Sequence, residues 1–410
     1  MQQAGLKTDR SAGMDKPDRD QLSREVYGIL GIPLDALGLT AALKLLEASV
    51  ESRERFWIST PNVNFLVTGQ AEEQFRESLL LSDLCLVDGM PIVWIARLLG
   101  APIKDRVSGA DLFDALKKSD RRIGVFLFGG ADEVAQRVGK LLDAQSCGLK
   151  CAGFLNPGFG SIDEISSDQI IEAINSSGAD ILAVFLSAKK AQTWLLKNSD
   201  RIRVPVRAQF GATINFEAGI INRAPYFLRR IGLEWIWRIK EEPHLWRRYW
   251  ADGKSLLRLL LTGALPLILD SLCSRWHGAG AEFRIDFCEN EQSVVVDLSG
   301  RAVAAHIQEA IGVFREALGK QKPINLDVSC TSLFDPRFVG LVLMVRKQLR
   351  RRGQNLRFIK VSPAVSRAFR WNRFEFLLSD DGGMEDPGRT GPRTRINPSP
   401  GSEFHREKLI

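Results

Sequence analysis

Short apolar runs that each end in a polar loop, and are each followed by a stretch of helical period, set the tightest limit on how this chain folds. Phe56-Trp-Ile-Ser opens into Thr60-Pro-Asn-Val-Asn, and Asp83–Val87 opens into Asp88-Gly89 and a helical pattern reaching Leu99. Ile123-Gly-Val-Phe-Leu-Phe stops at Gly129-Gly130, after which Asp132–Ala144 carries helical spacing. Lys150–Phe154, Ile181–Leu186 and Val206–Phe210 repeat the plan. Strands separated by helices of this length predict an α/β domain built on a parallel sheet covered on both faces. Ligands of such sheets sit beyond the carboxyl ends of the strands, so chemistry is expected in these loops.

The rest of the chain divides by composition. Residues 1–24 are polar, lack the apolar stretch of a signal peptide and are expected to form a disordered leader. The strand-and-helix pattern fills 25–222. Over 223–280 the character changes, as Trp235, Trp237, Trp246 and Trp250 alternate with Arg223, Arg229, Arg230, Arg238, Lys240, Arg247 and Arg248. Indoles and cations at helical spacing suit a surface apolar below and phosphate-rich above. They suit equally a soluble helix with buried tryptophans and solvated arginines. The greasiest run, Leu256–Leu269, contains Arg258, Gly263 and Pro266 and falls short of the ~20 residues that cross a bilayer. A second, small α/β domain is expected over 281–380. Its strands would be Phe283–Phe287, Ser293–Leu298, Ile324–Val328 and Leu356–Val361, and its helices His306–Leu318 and a basic Val339–Arg352 with a solvated face. Residues 381–410 are rich in Gly, Pro, Arg and Ser without apolar periodicity, which predicts a disordered tail. The formal charge of +7 favours an anionic partner, and six cysteines in no paired spacing predict a reducing cytoplasm.

Familiar catalytic signatures are missing. The histidines at 244, 277, 306 and 405 are isolated, and neither a phosphate loop nor a Gly-X-Ser-X-Gly elbow occurs. Hydrolase, metalloenzyme and ATPase readings lose ground accordingly. What remains is a set of polar residues at strand ends: Thr60, Asn62, Asp88, Arg106, Asp111 and the pair Gly129-Gly130. A carboxylate beside a cation is what a general base needs to deprotonate an acceptor hydroxyl, though Asp88 and Arg106 fit a structural ion pair equally well. Gly-Gly before a helix either admits a diphosphate to the backbone amides or makes a plain tight turn.

Thr60-Pro-Asn-Val-Asn, Val87-Asp-Gly-Met-Pro, Arg106-Val-Ser-Gly-Ala-Asp, Phe126-Leu-Phe-Gly-Gly and Pro157-Gly-Phe follow one another in order. Arg223-Ala-Pro, Gly232-Leu-Glu-Trp, Arg238, Glu242-Pro and Arg247-Arg-Tyr complete the series. Together they resemble the WecG/TagA/CpsF family of bacterial glycosyltransferases, glycosyltransferase family 26. The resemblance implies a Rossmann-like domain that performs an inverting, metal-independent transfer without a cofactor. The sugar would move from a UDP-sugar to a polyprenyl-diphosphate-linked glycan in exopolysaccharide or cell-wall synthesis. It implies a cytoplasmic protein peripheral to the inner face of the membrane, with no nucleic-acid partner. Asp88 would be the base, Thr60 and Asn62 would contact donor or acceptor, and Arg106 would bind the diphosphate. Asp111, Gly129, Gly130 and Lys190 would complete the substrate site. Arg223, Arg238, Arg247, Arg248, Trp235 and Trp237 would meet membrane and acceptor. The chain departs from the family where Ser187-Ala-Lys-Lys-Ala-Gln replaces Gly-X-Pro-Lys-Gln-Glu: Ala191 and Gln192 stand in for a glutamine and a glutamate. Asn215 likewise replaces an aspartate. A catalytically degenerate scaffold is the alternative these changes raise.

Val294-Val-Val-Asp-Leu-Ser-Gly, Ile324-Asn-Leu-Asp-Val-Ser, Phe334-Asp335 and Leu356-Arg-Phe-Ile-Lys-Val resemble a STAS domain. The phosphorylation site of that family reads Asp335-Pro-Arg-Phe here. With Pro336 in place of the hydroxyl residue, binding to a partner protein or to another part of this chain is the expected role.

Overall fold

A computed structural model describes residues 20–276 and 282–379. Strands β3 (Phe56–Ser59), β4 (Leu84–Cys85), β5 (Ile123–Gly129), β6 (Leu149–Leu155), β7 (Ile181–Phe185) and β8 (Val206–Gln209) form one parallel sheet in the order β4-β3-β8-β7-β5-β6. The period of two along β5 explains why both faces are covered. Ile123, Val125 and Leu127 enter a core with Leu112, Phe113, Val138 and Leu142. Phe126 and Phe128 enter a second core with Trp57, Ile171 and Trp194. The expected α/β sheet is therefore present, with β4 shorter than the Asp83–Val87 run.

A hairpin that the sequence pattern did not disclose precedes the sheet: β1 (Val26–Ile29) pairs antiparallel with β2 (Ile32–Asp35). Leu30 and Gly31 turn it with φ of 45° and 86°. The hairpin is buried on every residue, which hides the alternation that marks a solvent-facing strand. The leader also ends earlier than expected, since Asp20 caps a turn at Gln21–Ser23 and Arg24 pairs with Asp35 at 2.7 Å. The rest of the leader, and the tail expected from 381, lie outside the described residues.

The C-terminal domain is a four-stranded sheet, β9 (Arg284–Glu289), β10 (Val294–Ala302), β11 (Ile324–Phe334) and β12 (Leu356–Val361), in the order β12-β11-β10-β9. β9 and β10 are the two strands expected to open the domain, and they pair antiparallel. The basic helix runs from Pro336 to Arg351 and is largely buried, which corrects the solvated face expected for it. It lies on β1 so closely that a Cβ on Gly340 would fall 1.9 Å from the Val26 carbonyl oxygen. Arg337 donates to that oxygen at 3.0 Å. Lys347 reaches Asp83 at 2.6 Å and the Ser82 carbonyl at 2.8 Å, and Arg351 reaches Asp83 at 2.7 Å. Arg346 and Arg350 pair with Glu77. Asn372 fastens the hairpin turn, donating to the Gly28 carbonyl and accepting from the Leu30 amide. Its cations are thus engaged by carboxylates of the first domain.

The segment from Pro243 to Cys273 is one helical rod of 31 residues, long and apolar enough by length and composition to cross a membrane. Expectation had the apolar run interrupted at Gly263 and Pro266. A π-turn at Leu260–Ala264 instead takes up the missing proline N–H and carries the helix through. One side of the rod packs on protein: Asn64 bonds Asp252 at 3.3 Å, and a Cβ on Gly263 would meet the Trp371 carbonyl at 2.7 Å. Its other side leaves Trp246, Trp250, Leu257, Leu261, Leu265 and Leu269 exposed.

Candidate active site

Three backbone hydrogen bonds assemble the site. The Leu86 amide donates to the Ser59 carbonyl at 2.9 Å, Asp88 to Pro61 at 2.8 Å, and Val107 to Val87 at 2.8 Å. The loops beyond β3 and β4 and the segment bearing Arg106 are thereby laced together, so Thr60, Asn62, Asp88 and Arg106 share one end of the sheet. Thr60 is buried there. Asn62 spends its side-chain oxygen on the Phe65 amide at 3.3 Å, capping the helix Val63–Ala71.

Arg106 is the hub. Its guanidinium lies 3.6 Å from Asp88, 3.5 Å from Asp111 and in contact with Glu234. Asp111 closes a capping box with Ser108 at the start of the helix Gly109–Lys117. The same carboxylate receives Arg229 at 3.3 Å and a contact from Arg223, which also holds Asp114 at 2.7 Å and the Ser108 hydroxyl at 3.2 Å. Burial alone would raise Asp111, but the Ser108 hydrogen bond, Arg223 and Arg106 hold it below the usual carboxylate range. Asp88 goes the other way. Burial pushes it up to about 7; Arg106 opposes the rise, and Glu234 and Asp111 add to it. Its side chain still keeps 24% of its surface open, so a substrate can reach it. A carboxyl that titrates near neutrality at an open strand end can take a proton from a hydroxyl.

Residues 27–267 match the glycosyl transferase WecG/TagA/CpsF family, and residues 285–378 match the Mlab, STAS domain. The chain belongs to the WecG/TagA/CpsF family of glycosyltransferases. Among its relatives is an N-acetylglucosaminyldiphosphoundecaprenol N-acetyl-beta-D-mannosaminyltransferase of Bacillus spizizenii, 25% identical over 225 residues, covering 54% of this chain and 86% of that protein. Proteins of the same name from Bacillus subtilis (25% identity, 57% of this chain, 90% of theirs) and Staphylococcus aureus (26%, 51%, 82%) are similar to it as well.

This glycosyltransferase does not gather every residue the sequence nominated. Gly129 and Gly130, with φ of 102° and 78°, form a turn that only glycine fits: a Cβ on Gly129 would lie 2.9 Å from the Phe185 carbonyl oxygen. They end β5, beyond β8 and β7 from the β3 and β4 loops, with Gly130 against Ile214. Lys190 is half-buried on the helix after β7. Ala191 is core, packed with Trp194 and Phe128, and Gln192 is buried with its amide donating to the Ser59 hydroxyl at 2.9 Å. These departures from the family pattern therefore lie in the packing behind the strand end rather than in the charged cluster. Asn215 is half-buried in the short helix Thr213–Glu217.

The appendage divides as well. Arg223 belongs to the charged cluster rather than to an outward surface. Arg238 turns to Glu242 at 2.6 Å and lies over the Phe216 ring. Arg247 and Arg248 are exposed beside the Trp246 and Tyr249 rings. Trp235 is exposed, whereas Trp237 donates its indole N–H to the Asn222 carbonyl at 2.9 Å. Sequence reading gave no role to Glu234 or Asp114, and it placed Arg229 only among the cations of the basic aromatic segment. Glu234 was visible within Gly232-Leu-Glu-Trp, but nothing local tells that its partner is 128 residues away. Among the described residues no group of three or more His, Cys, Asp or Glu side chains is arranged to hold a metal ion.

Proposed function

We propose that this protein transfers a sugar, with inversion, from a UDP-sugar to a polyprenyl-diphosphate-linked acceptor in glycan synthesis at the inner face of the cytoplasmic membrane. The observation that carries the reading is Asp88, open at the strand end, raised to about 7 and 3.6 Å from Arg106. Asp88 takes the proton of the acceptor hydroxyl as its oxygen bonds the anomeric carbon. The bond from that carbon to the diphosphate breaks, and UDP leaves with the electron pair. Arg106 meets the charge that develops on the leaving group, a fixed cation that needs no reorganisation during the step. The similarity to enzymes named for an undecaprenyl-diphosphate acceptor supports the same acceptor class here.

The rod supports the membrane reading. Its exposed side carries Trp246, Trp250 and a row of leucines, while its other side is packed on protein. A helix occupied along one side lies in the headgroup layer rather than across the bilayer. No cofactor or metal is proposed.

Purified protein, given a panel of UDP-sugars and a polyprenyl-diphosphate-linked N-acetylglucosamine acceptor, should release UDP only when acceptor is present. Asp88→Asn should cut the rate by about 10²–10⁴. Failure with every donor across the panel, or an undiminished Asp88→Asn, would overturn the proposal.

A further inference from the structure

The charged cluster is overfilled with carboxylate. Arg106, Arg223 and Arg229 face Asp88, Asp111, Asp114 and Glu234. Lys117 bridges Asp114 at 3.1 Å and Glu217 at 2.6 Å, bringing one cation and one further carboxylate to the cluster. A nucleotide diphosphate brought into this arrangement would compete with these carboxylates for the arginines. Yet the arginines have donors to spare: the Nε groups of Arg223 and Arg229 are buried with no hydrogen-bond partner among the described residues. Buried guanidinium donors without partners are available to an incoming anion.

One of the four carboxylates differs in how it is held. Asp88 is fixed by the lacing of β3 and β4, Asp111 by its capping box, and Asp114 lies inside the same helix. Glu234 opens a separate short helix, Glu234–Glu241, and follows Gly232, whose φ of 77° makes a turn under Met90 and Trp94. Glu234 thus belongs neither to the sheet nor to the loops laced beyond β3 and β4.

We propose that Glu234 is a specificity-determining placeholder: its carboxylate holds Arg106 in the resting protein, and the diphosphate of the donor takes its place. The inference rests on the nucleotide-sugar reading above and deepens it. Binding is an exchange of anions on one guanidinium, after which three arginines face three carboxylates and the incoming diphosphate. Neutral polar ligands cannot make the exchange, so the site selects for a diphosphate. Glu234 opens the helix bearing Trp235, so each donor that binds frees that helix from Arg106, and departure of UDP restores the latch.

The test is equilibrium binding of UDP, and separately of inorganic pyrophosphate, to the full-length protein by calorimetry. Glu234→Gln removes the competing charge and should tighten both ligands about tenfold, a gain that loss of a merely structural contact does not produce. Arg106→Gln should abolish the difference between wild type and Glu234→Gln. Equal or weaker binding by Glu234→Gln would overturn the placeholder while leaving the donor reading intact. Absence of UDP binding in both proteins would overturn the donor reading and the placeholder with it.

Discussion

Asp83 and Asp88 stand at the two ends of β4, and their carboxyls are driven in opposite directions. Asp83, at the amino end, is buried, yet Lys347 and Arg351 hold it down to about 2. Asp88, at the carboxyl end, is raised to about 7 chiefly by burial, and the one cation that opposes the rise most, Arg106, is shared with Asp111 and Glu234. At the first end cations outnumber the carboxylate and nothing is left to exchange. At the second, carboxylates outnumber cations, and Glu234 is held only by a short helix outside the sheet. The comparison teaches that a strand two residues long can be bolted at one end and left reactive at the other, provided that the bolt comes from elsewhere. Here it comes from the STAS domain. Burial pulls Lys347 down to about 8, so at neutral pH both members of the bolt stay charged.

The largest expected effect follows from withdrawing the bolt. Lys347→Met leaves Asp83 buried beside one cation instead of two, and loss of a partner from a buried pair costs about 3–5 kcal/mol. Denaturant unfolding of the full chain should show that loss, and an unchanged midpoint would mean the domain contact carries no load. A smaller effect comes from pH. A carboxylate with a depressed folded pKa stabilises above its ordinary value of 3.8 and loses that contribution as pH falls toward about 2. Asp83 should therefore contribute about 2 kcal/mol at pH 5 that is absent at pH 2, and Asp83→Asn should flatten that part of the stability curve. Asp88 has the opposite sign: its raised pKa means that folding loses free energy as pH climbs from about 4 to about 7. Asp88→Asn should remove that decline. The smallest effect is at the appendage, where Arg247→Gln should weaken association with anionic vesicles about fivefold, near 1 kcal/mol for one surface cation. Unaltered vesicle binding would remove Arg247 from the membrane face.

The sequence made the Asp88 end of this comparison legible and concealed the Asp83 end. Continuous apolar runs ending in polar loops mark strands buried on both faces, so β3, β5, β7 and β8 were readable, and with them the loops bearing Thr60 and Asp88. The hairpin β1–β2 was not, because all its residues are buried, Val26 in the C-terminal core and Tyr27, Ile29, Ile32 and Leu34 with Phe65, Leu66 and Phe75 of the first domain, and no alternation survives. Arg346, Lys347, Arg350 and Arg351 read as a solvated face because a basic helix surface gives no hint of a distant carboxylate. Their partners Glu77 and Asp83 lie some 270 residues back, and only the tertiary fold brings the charges together. Glu234 was hidden for the same reason. Arg223 was legible as a cation but was expected to face the membrane, because its amphipathic surroundings do not reveal that Asp111 and Asp114 claim it.

The most direct measurement is the pH dependence of sugar transfer at subsaturating donor, where the rate reports the free protein. If Asp88 is the base, the rate of the wild type should rise through an acid limb with its midpoint near 7, set by a carboxyl that burial has raised and Arg106, Glu234 and Asp111 surround. The residual rate of Asp88→Asn should be flat over the same range. A wild type without that limb, or an Asp88→Asn that keeps it, would contradict the account.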